Sequence, residues 1–151
     1  MKRFVWGVAA IAALAAAAAQ TRAPTDTIRA RQAHYKQMGA ALKGINEQLR
    51  GGTPSLPTIR RGSHLIASNA VQLLRWFPRG TGVEAGVPTR ARPEIWSDDA
   101  GFRLAGADLL VAARNLEAAA RSGDLARIRA AAPPVARACS HCHDAYRAPE
   151  Q

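Results

Sequence analysis

The chain has 151 residues, which is enough for one domain with a buried core. Its formal net charge of +10 comes mainly from 18 arginines, which are dispersed along the chain, so the sequence does not predict a nucleic-acid-binding surface. The two cysteines both lie in one short motif, and this excludes a framework of several disulfides.

The first nineteen residues have the pattern of a secretory signal peptide. Lys2 and Arg3 precede an alanine-rich apolar run that is shorter than a comfortable membrane span. Three alanines stand before Gln20, where the small-residue rule places the cleavage site. We therefore expect residues 1–19 to be removed and residues 20–151 to fold in the periplasm. The alternative is an uncleaved membrane anchor.

Two amphipathic helices are predicted in the first half of the mature chain. Apolar residues recur every three or four positions from about Asp26 to Arg50 and again from about Leu56 to Phe77. Thr25 and Ser55 are the predicted N-caps, and Pro78 ends the second helix.

A long connection follows, from Phe77 to Pro93. It is rich in proline and glycine, and a loop of this length in a compact domain is more often functional than idle. The third helix is predicted to start at Asp98 or Asp99 and to end at about Arg121.

The last helix is predicted to begin at a cap near Asp124. Pro133 and Pro134 lie inside it, so we expect a kink or a restart, although the apolar pattern keeps its phase across them. Short turns between the first and second helices, and between the third and fourth, favour antiparallel neighbours. The predicted fold class is therefore all-α, an antiparallel up-down four-helix bundle.

The last helix carries the sequence C-x-x-C-H, formed by Cys139, Cys142 and His143, which is the attachment signature of a c-type haem. Two thiols on one helical turn can add to the two vinyl groups of a porphyrin, and the adjacent imidazole then points at the iron. A zinc or copper site that also uses His141 would be cramped, because tetrahedral ligand pairs normally come from separate segments. A redox-active cysteine pair would be expected beside a strand, and the sequence offers no convincing strand.

Three ordered segments resemble class II c-type cytochromes, the cytochrome c prime family. They are Arg31 to Gly39, Thr89 to Asp98, and the haem motif with the residues that follow it to Arg147. The resemblance implies one covalent haem c, with its iron, enclosed in the bundle near one end. It also implies a homodimer formed through the first two helices, where Gly39 and Ala40 would permit close approach.

The family has two functional branches, and the residue four positions after the motif arginine separates them. A methionine there is the sixth iron ligand of a low-spin electron carrier, whereas a non-ligand leaves a five-coordinate iron that binds NO or CO. Counting from Arg31, that position is Tyr35, which we expect to occupy the distal space without ligating iron. Met38 is the alternative sixth ligand if the helix shifts by one turn, and otherwise fills the core.

Two arginines belong to the expected site. Arg31 lies on a buried stripe and needs a counter-charge, which the haem propionates would supply; otherwise it reaches solvent at the helix end. By resemblance, Arg147 lies over the proximal imidazole. The resulting expectation is a redox-active, gas-binding haem protein that is not an enzyme, with redox proteins as further partners.

Overall fold

The computed structural model describes residues 23–149, so the expected signal peptide lies outside the described residues. No helix within this range is both long and apolar enough to cross a membrane. Residues 23–149 contain four long α-helices and one short one. They are α1 (Pro24–Arg50), α2 (Leu56–Gln72), α3 (Glu94–Ser97), α4 (Asp99–Ser122) and α5 (Leu125–Tyr146).

Side-chain caps determine where most of the long helices begin. Ser55 accepts a hydrogen bond from the backbone of α2, Asp98 from α4 and Asp124 from α5, so the predicted caps at Ser55 and Asp124 are confirmed. The Thr25 cap is wrong: α1 begins at Pro24 without a side-chain cap. Proline fixes φ near its helical value and has no N–H to satisfy, so it starts the helix without a capping side chain.

Two further boundaries differ from the sequence pattern. The second helix tightens after Gln72 into a 3-10 turn, Leu73–Trp76, instead of continuing as an α-helix to Phe77. The predicted restart at Pro133 and Pro134 does not occur, because α5 is one helix across both prolines. Val135, just beyond the prolines, is fully buried, so packing stabilises the turn that lacks two backbone donors.

The four long helices form a closed ring. Helix α1 contacts α2 and α5, and α4 contacts the same two helices from the other side. Short connections make sequence neighbours antiparallel, which confirms the predicted four-helix bundle. The largest fully buried side chains are aliphatic and come from all four helices: Ile28, Ile45, Ile59, Ile66, Leu116, Ile128 and Val135.

The connection between α2 and α3 is tied to the end of α5. Ala91 and Arg147 form an isolated antiparallel bridge. The backbone N–H of Ala148 donates to the carbonyl of Arg90 at 2.8 Å, and the N–H of Arg92 donates to the carbonyl of Tyr146 at 3.1 Å. We call residues 77–93 the strap, because they run from the end of the second helix to this anchorage on the last helix.

Candidate haem site

The two cysteines lie one turn apart near the end of α5. Both thiols are free and partly buried, and they pack against the hydrophobic core. Burial raises the pKa of Cys139, and burial together with Cys139 raises the pKa of Cys142 to about 11. Reactive redox cysteines have lowered pKa values, so this pair does not resemble a thiol–disulfide centre.

His143 follows directly and is partly buried. Burial, then the charge of Arg147, then that of Arg90, lowers the pKa of the imidazole, so it is neutral at physiological pH, as an iron ligand must be. Arg147 Nη1 lies 3.3 Å from His143 Nδ1, beside the imidazole as the resemblance implies. His141, between the cysteines, is exposed.

Tyr35 approaches the cysteines from α1. It packs against the same core cluster as both cysteines, and burial is the main cause that raises the pKa of its phenol, which Cys142 raises further. The phenol therefore stays protonated, which disfavours tyrosinate ligation of a metal. Trp76 and Phe77 pack against its ring, with centroids 5.5 Å and 6.3 Å away.

Arg31 lies one turn before Tyr35 and is only 3% exposed. Its guanidinium donates to Thr81 Oγ1 at 2.9 Å, to the Thr81 carbonyl at 2.6 Å and to Thr89 Oγ1 at 2.7 Å, and it lies 4.6 Å above the Phe77 ring. Among residues 23–149, no carboxylate is within ion-pairing distance. Three of its five N–H groups are used, so two remain available to a further anion.

Met38 lies one turn beyond Tyr35 and is buried in the core, 6% exposed. The two described histidines outside the motif, His34 and His64, both contact side chains of another element. His34 stacks on Trp76, and His64 is exposed and pairs with Glu117 of α4 at 2.9 Å.

Several neighbours of the site are not predicted by the sequence. The threonines that hold Arg31 are 50 and 58 residues away in the chain, and no local pattern marks them. Trp76 was not singled out at all. Tyr146 is buried in the core, and its hydroxyl also donates to Asp98 Oδ2 at 2.7 Å, which links the end of α5 to the start of α4.

These residues fit a covalent haem better than a bare metal ion. Two protonated thiols on one turn, a neutral imidazole and a buried arginine without a carboxylate partner match the vinyl groups, the iron and the propionates of a haem c. In the described part of the chain, no three His, Cys, Asp or Glu side chains are grouped to hold a metal ion.

Comparison with known proteins agrees with this chemistry. The family model described as cytochrome C' matches residues 26–147. Cytochrome c' from Alcaligenes xylosoxydans xylosoxydans is 35% identical over 127 residues, which cover 82% of this chain and 94% of that protein.

Two solved structures show the same likeness in three dimensions. Cytochrome c' from Thermochromatium tepidum has a TM-score of 0.79 at 30% identity, covering 85% of this chain and 98% of that one. The nitric oxide complex of a mutant of cytochrome c prime from Alcaligenes xylosoxidans has a TM-score of 0.77 at 30% identity, covering 87% of this chain and all of that one. The chain therefore belongs to the cytochrome c' family and carries a covalent haem c with its iron.

Proposed function

We propose that this protein is a periplasmic, five-coordinate haem protein that binds NO or CO on the face of the haem next to Tyr35. Cys139 and Cys142 would attach the porphyrin, and His143 would ligate its iron. The observation that carries the proposal is the position of Tyr35, which packs against the same core cluster as both attachment cysteines. The nitric oxide complex of the Alcaligenes relative supports the choice of ligand.

Each residue of the site has a separate task. When bound, the ferrous haem supplies an iron site that accepts a diatomic gas. His143 presents a neutral imidazole, and Arg147 places a positive charge beside it, which reduces its basicity. Arg31 uses its two remaining N–H groups to hold a propionate. Tyr35 excludes water and large ligands, and moves aside when a small gas enters.

The alternative is a low-spin electron carrier in which Met38 is the sixth ligand and the arginine-rich surface docks redox partners. Met38 lies on the inward face of α1 and is the only methionine in residues 20–151. The burial of Met38 among core side chains is also what a residue that only fills the core would show. A shift of α1 by one turn, which would bring Met38 to the iron, would disrupt that packing. We therefore favour the five-coordinate protein.

The absorption spectrum of the reduced holoprotein, with and without CO, separates the two functions. A broad high-spin spectrum that changes with CO supports gas binding. A sharp low-spin spectrum that ignores CO contradicts it, and loss of that spectrum in Met38→Leu would identify the carrier.

Tyr35→Ala tests the distal role directly. We expect it to raise the CO association rate because it removes the ring that fills the binding space. Tyr146→Phe is the control, since Tyr146 is the only other tyrosine and its hydroxyl donates to Asp98 before the start of α4. An unchanged rate in Tyr35→Ala would remove Tyr35 from the gas path.

We also propose that the protein forms a homodimer through α1 and α2. Gly39 and Ala40 are exposed on α1, where small side chains permit close approach between helices. Sedimentation of Ala40→Arg against the wild type tests this contact; a dimer that persists unchanged would place the interface elsewhere.

A further inference from the structure

Trp76 lies in a corner formed by two consecutive residues of α1. Its ring is stacked on His34, with centroids 4.6 Å apart and an interplanar angle of 9°. Its edge contacts the ring of Tyr35 at 5.5 Å and 87°. Trp76 therefore touches the gas-face tyrosine on one side and is held by a flat stacking contact on the other.

Two aromatic rings pack against the Tyr35 ring. Trp76 and Phe77 pack against it, and Phe77 in turn contacts Phe102 at 5.0 Å and supports the Arg31 guanidinium. In a close-packed interior, a ring can move only as far as its neighbours yield. Phe77 is held by several partners, so Trp76, which ends a 3-10 turn, is the neighbour more able to move.

We propose that Trp76 is a specificity-determining residue of the distal pocket. Held against Tyr35 by His34, it limits how far the tyrosine ring moves and so limits the size of the ligand that reaches iron. This inference rests on the proposed function, because it takes Tyr35 as the residue on the gas face. It assigns the limit on ligand size to a contact between the turn after α2 and α1.

The test compares three variants of the holoprotein. Trp76→Phe reduces the ring that faces Tyr35, and His34→Ala removes the stacking contact from a partly exposed position without enlarging the core. Trp96→Phe is the control: it makes the same change in a tryptophan whose ring contacts Phe77, and it also removes the hydrogen bond from Trp96 Nε1 to the Phe77 carbonyl. CO and ethyl isocyanide serve as a small and a bulky ligand of the reduced iron.

We expect Trp76→Phe to raise the CO association rate by about two- to tenfold, the factor that corresponds to one aromatic pair contact. The rate for ethyl isocyanide should rise more than the rate for CO. His34→Ala should act in the same direction with a smaller effect, and Trp96→Phe should change neither rate.

A second readout does not depend on gas binding. Fluorotyrosine incorporated into the Tyr146→Phe background labels Tyr35 alone in the mature chain, since the whole chain has only two tyrosines. The fluorine resonance of Tyr35 should shift in Trp76→Phe and His34→Ala, and not in Trp96→Phe.

The outcomes separate the inference about Trp76 from the proposed function. If Trp76→Phe leaves the rates and the resonance unchanged, or if Trp96→Phe changes them equally, Trp76 does not control the tyrosine and the inference is wrong. If no variant binds CO, the proposed function fails, and the fluorine resonance still decides whether Trp76 holds Tyr35.

Discussion

Replacing the buried arginine of α1 with methionine tests the largest polar contact between a helix and the strap. Arg31→Met keeps a long side chain of similar reach but removes the guanidinium and its three hydrogen bonds to Thr81 and Thr89. The Thr81 carbonyl is then left without this donor at a buried position.

The expected cost follows from these contacts. Hydrogen bonds to a charged group contribute about 1.5–3 kcal/mol each to stability. The substitution also removes a buried charge, whose desolvation opposes folding by several kcal/mol. The Thr81 hydroxyl keeps its bond to the Pro78 carbonyl at 2.8 Å, which reduces the loss. We expect the free energy of unfolding to fall by about 3 kcal/mol, or the Tm by roughly 10 °C.

Guanidinium chloride unfolding of the holoprotein, followed by circular dichroism, measures this change. Arg29→Met is the matched control, because Arg29 lies on the same helix with its side chain 72% exposed and makes only a 3.7 Å contact with Asp26. It should cost less than about 0.5 kcal/mol. If Arg31→Met costs no more than this control, the three hydrogen bonds do not stabilise the protein and our account of the strap is wrong.

Two other predictions concern the junction between α4 and α5. Gly101→Ala should destabilise the protein, because an added methyl group would overlap the Tyr146 hydroxyl and the Asp98 carboxylate. Gly44→Ala is the control: the space around Gly44 is open, so the substitution should stabilise the protein by about 1 kcal/mol. Thermal unfolding measures both changes, and stabilisation by both would show that the junction is not closely packed. The hydrogen bonds from Tyr146 and from the Gly101 backbone lower the pKa of Asp98, so its stabilising effect is present above about pH 4 and is lost as the pH falls through the lowered pKa. Asp98→Asn should therefore be less stable than the wild type at pH 7, with a difference that shrinks in acid, and a difference independent of pH would contradict this.

Much of the fold could be predicted because its determinants are local. Apolar periodicity located the four long helices, and Ser55 and Asp124 marked helix starts because a capping side chain acts within three residues of its own position. A kink or a restart was expected at Pro133 and Pro134, and the helix does not restart there, because its determinants are not local. Whether a proline stops a helix depends on what the flanking residues bury, and that is set by α1 and α4 rather than by the prolines.

The residues of the site also divide into those that local sequence marks and those that only long-range contacts bring together. Cys139, Cys142 and His143 form one contiguous motif, and Arg31 and Tyr35 lie one turn apart on a single stripe. The partners of these residues come from distant parts of the chain: Thr81 and Thr89 for Arg31, and Trp76 for Tyr35. A single sequence contains no signal for contacts across 40 or more residues between a helix and a loop. The positions of Thr81, Thr89 and Trp76 around the site therefore follow only from the structure.

The anchorage of the strap has a consequence for engineering and for evolution. Its first residue, Phe77, packs against Tyr35, and its later residues pair with the backbone that follows His143. One short segment thus supports Tyr35, which we propose lies on the gas face, and the turn that carries His143, which we propose ligates the iron. If the proposed function is right, we expect a graft that exchanges this segment between relatives to alter gas affinity and reduction potential together.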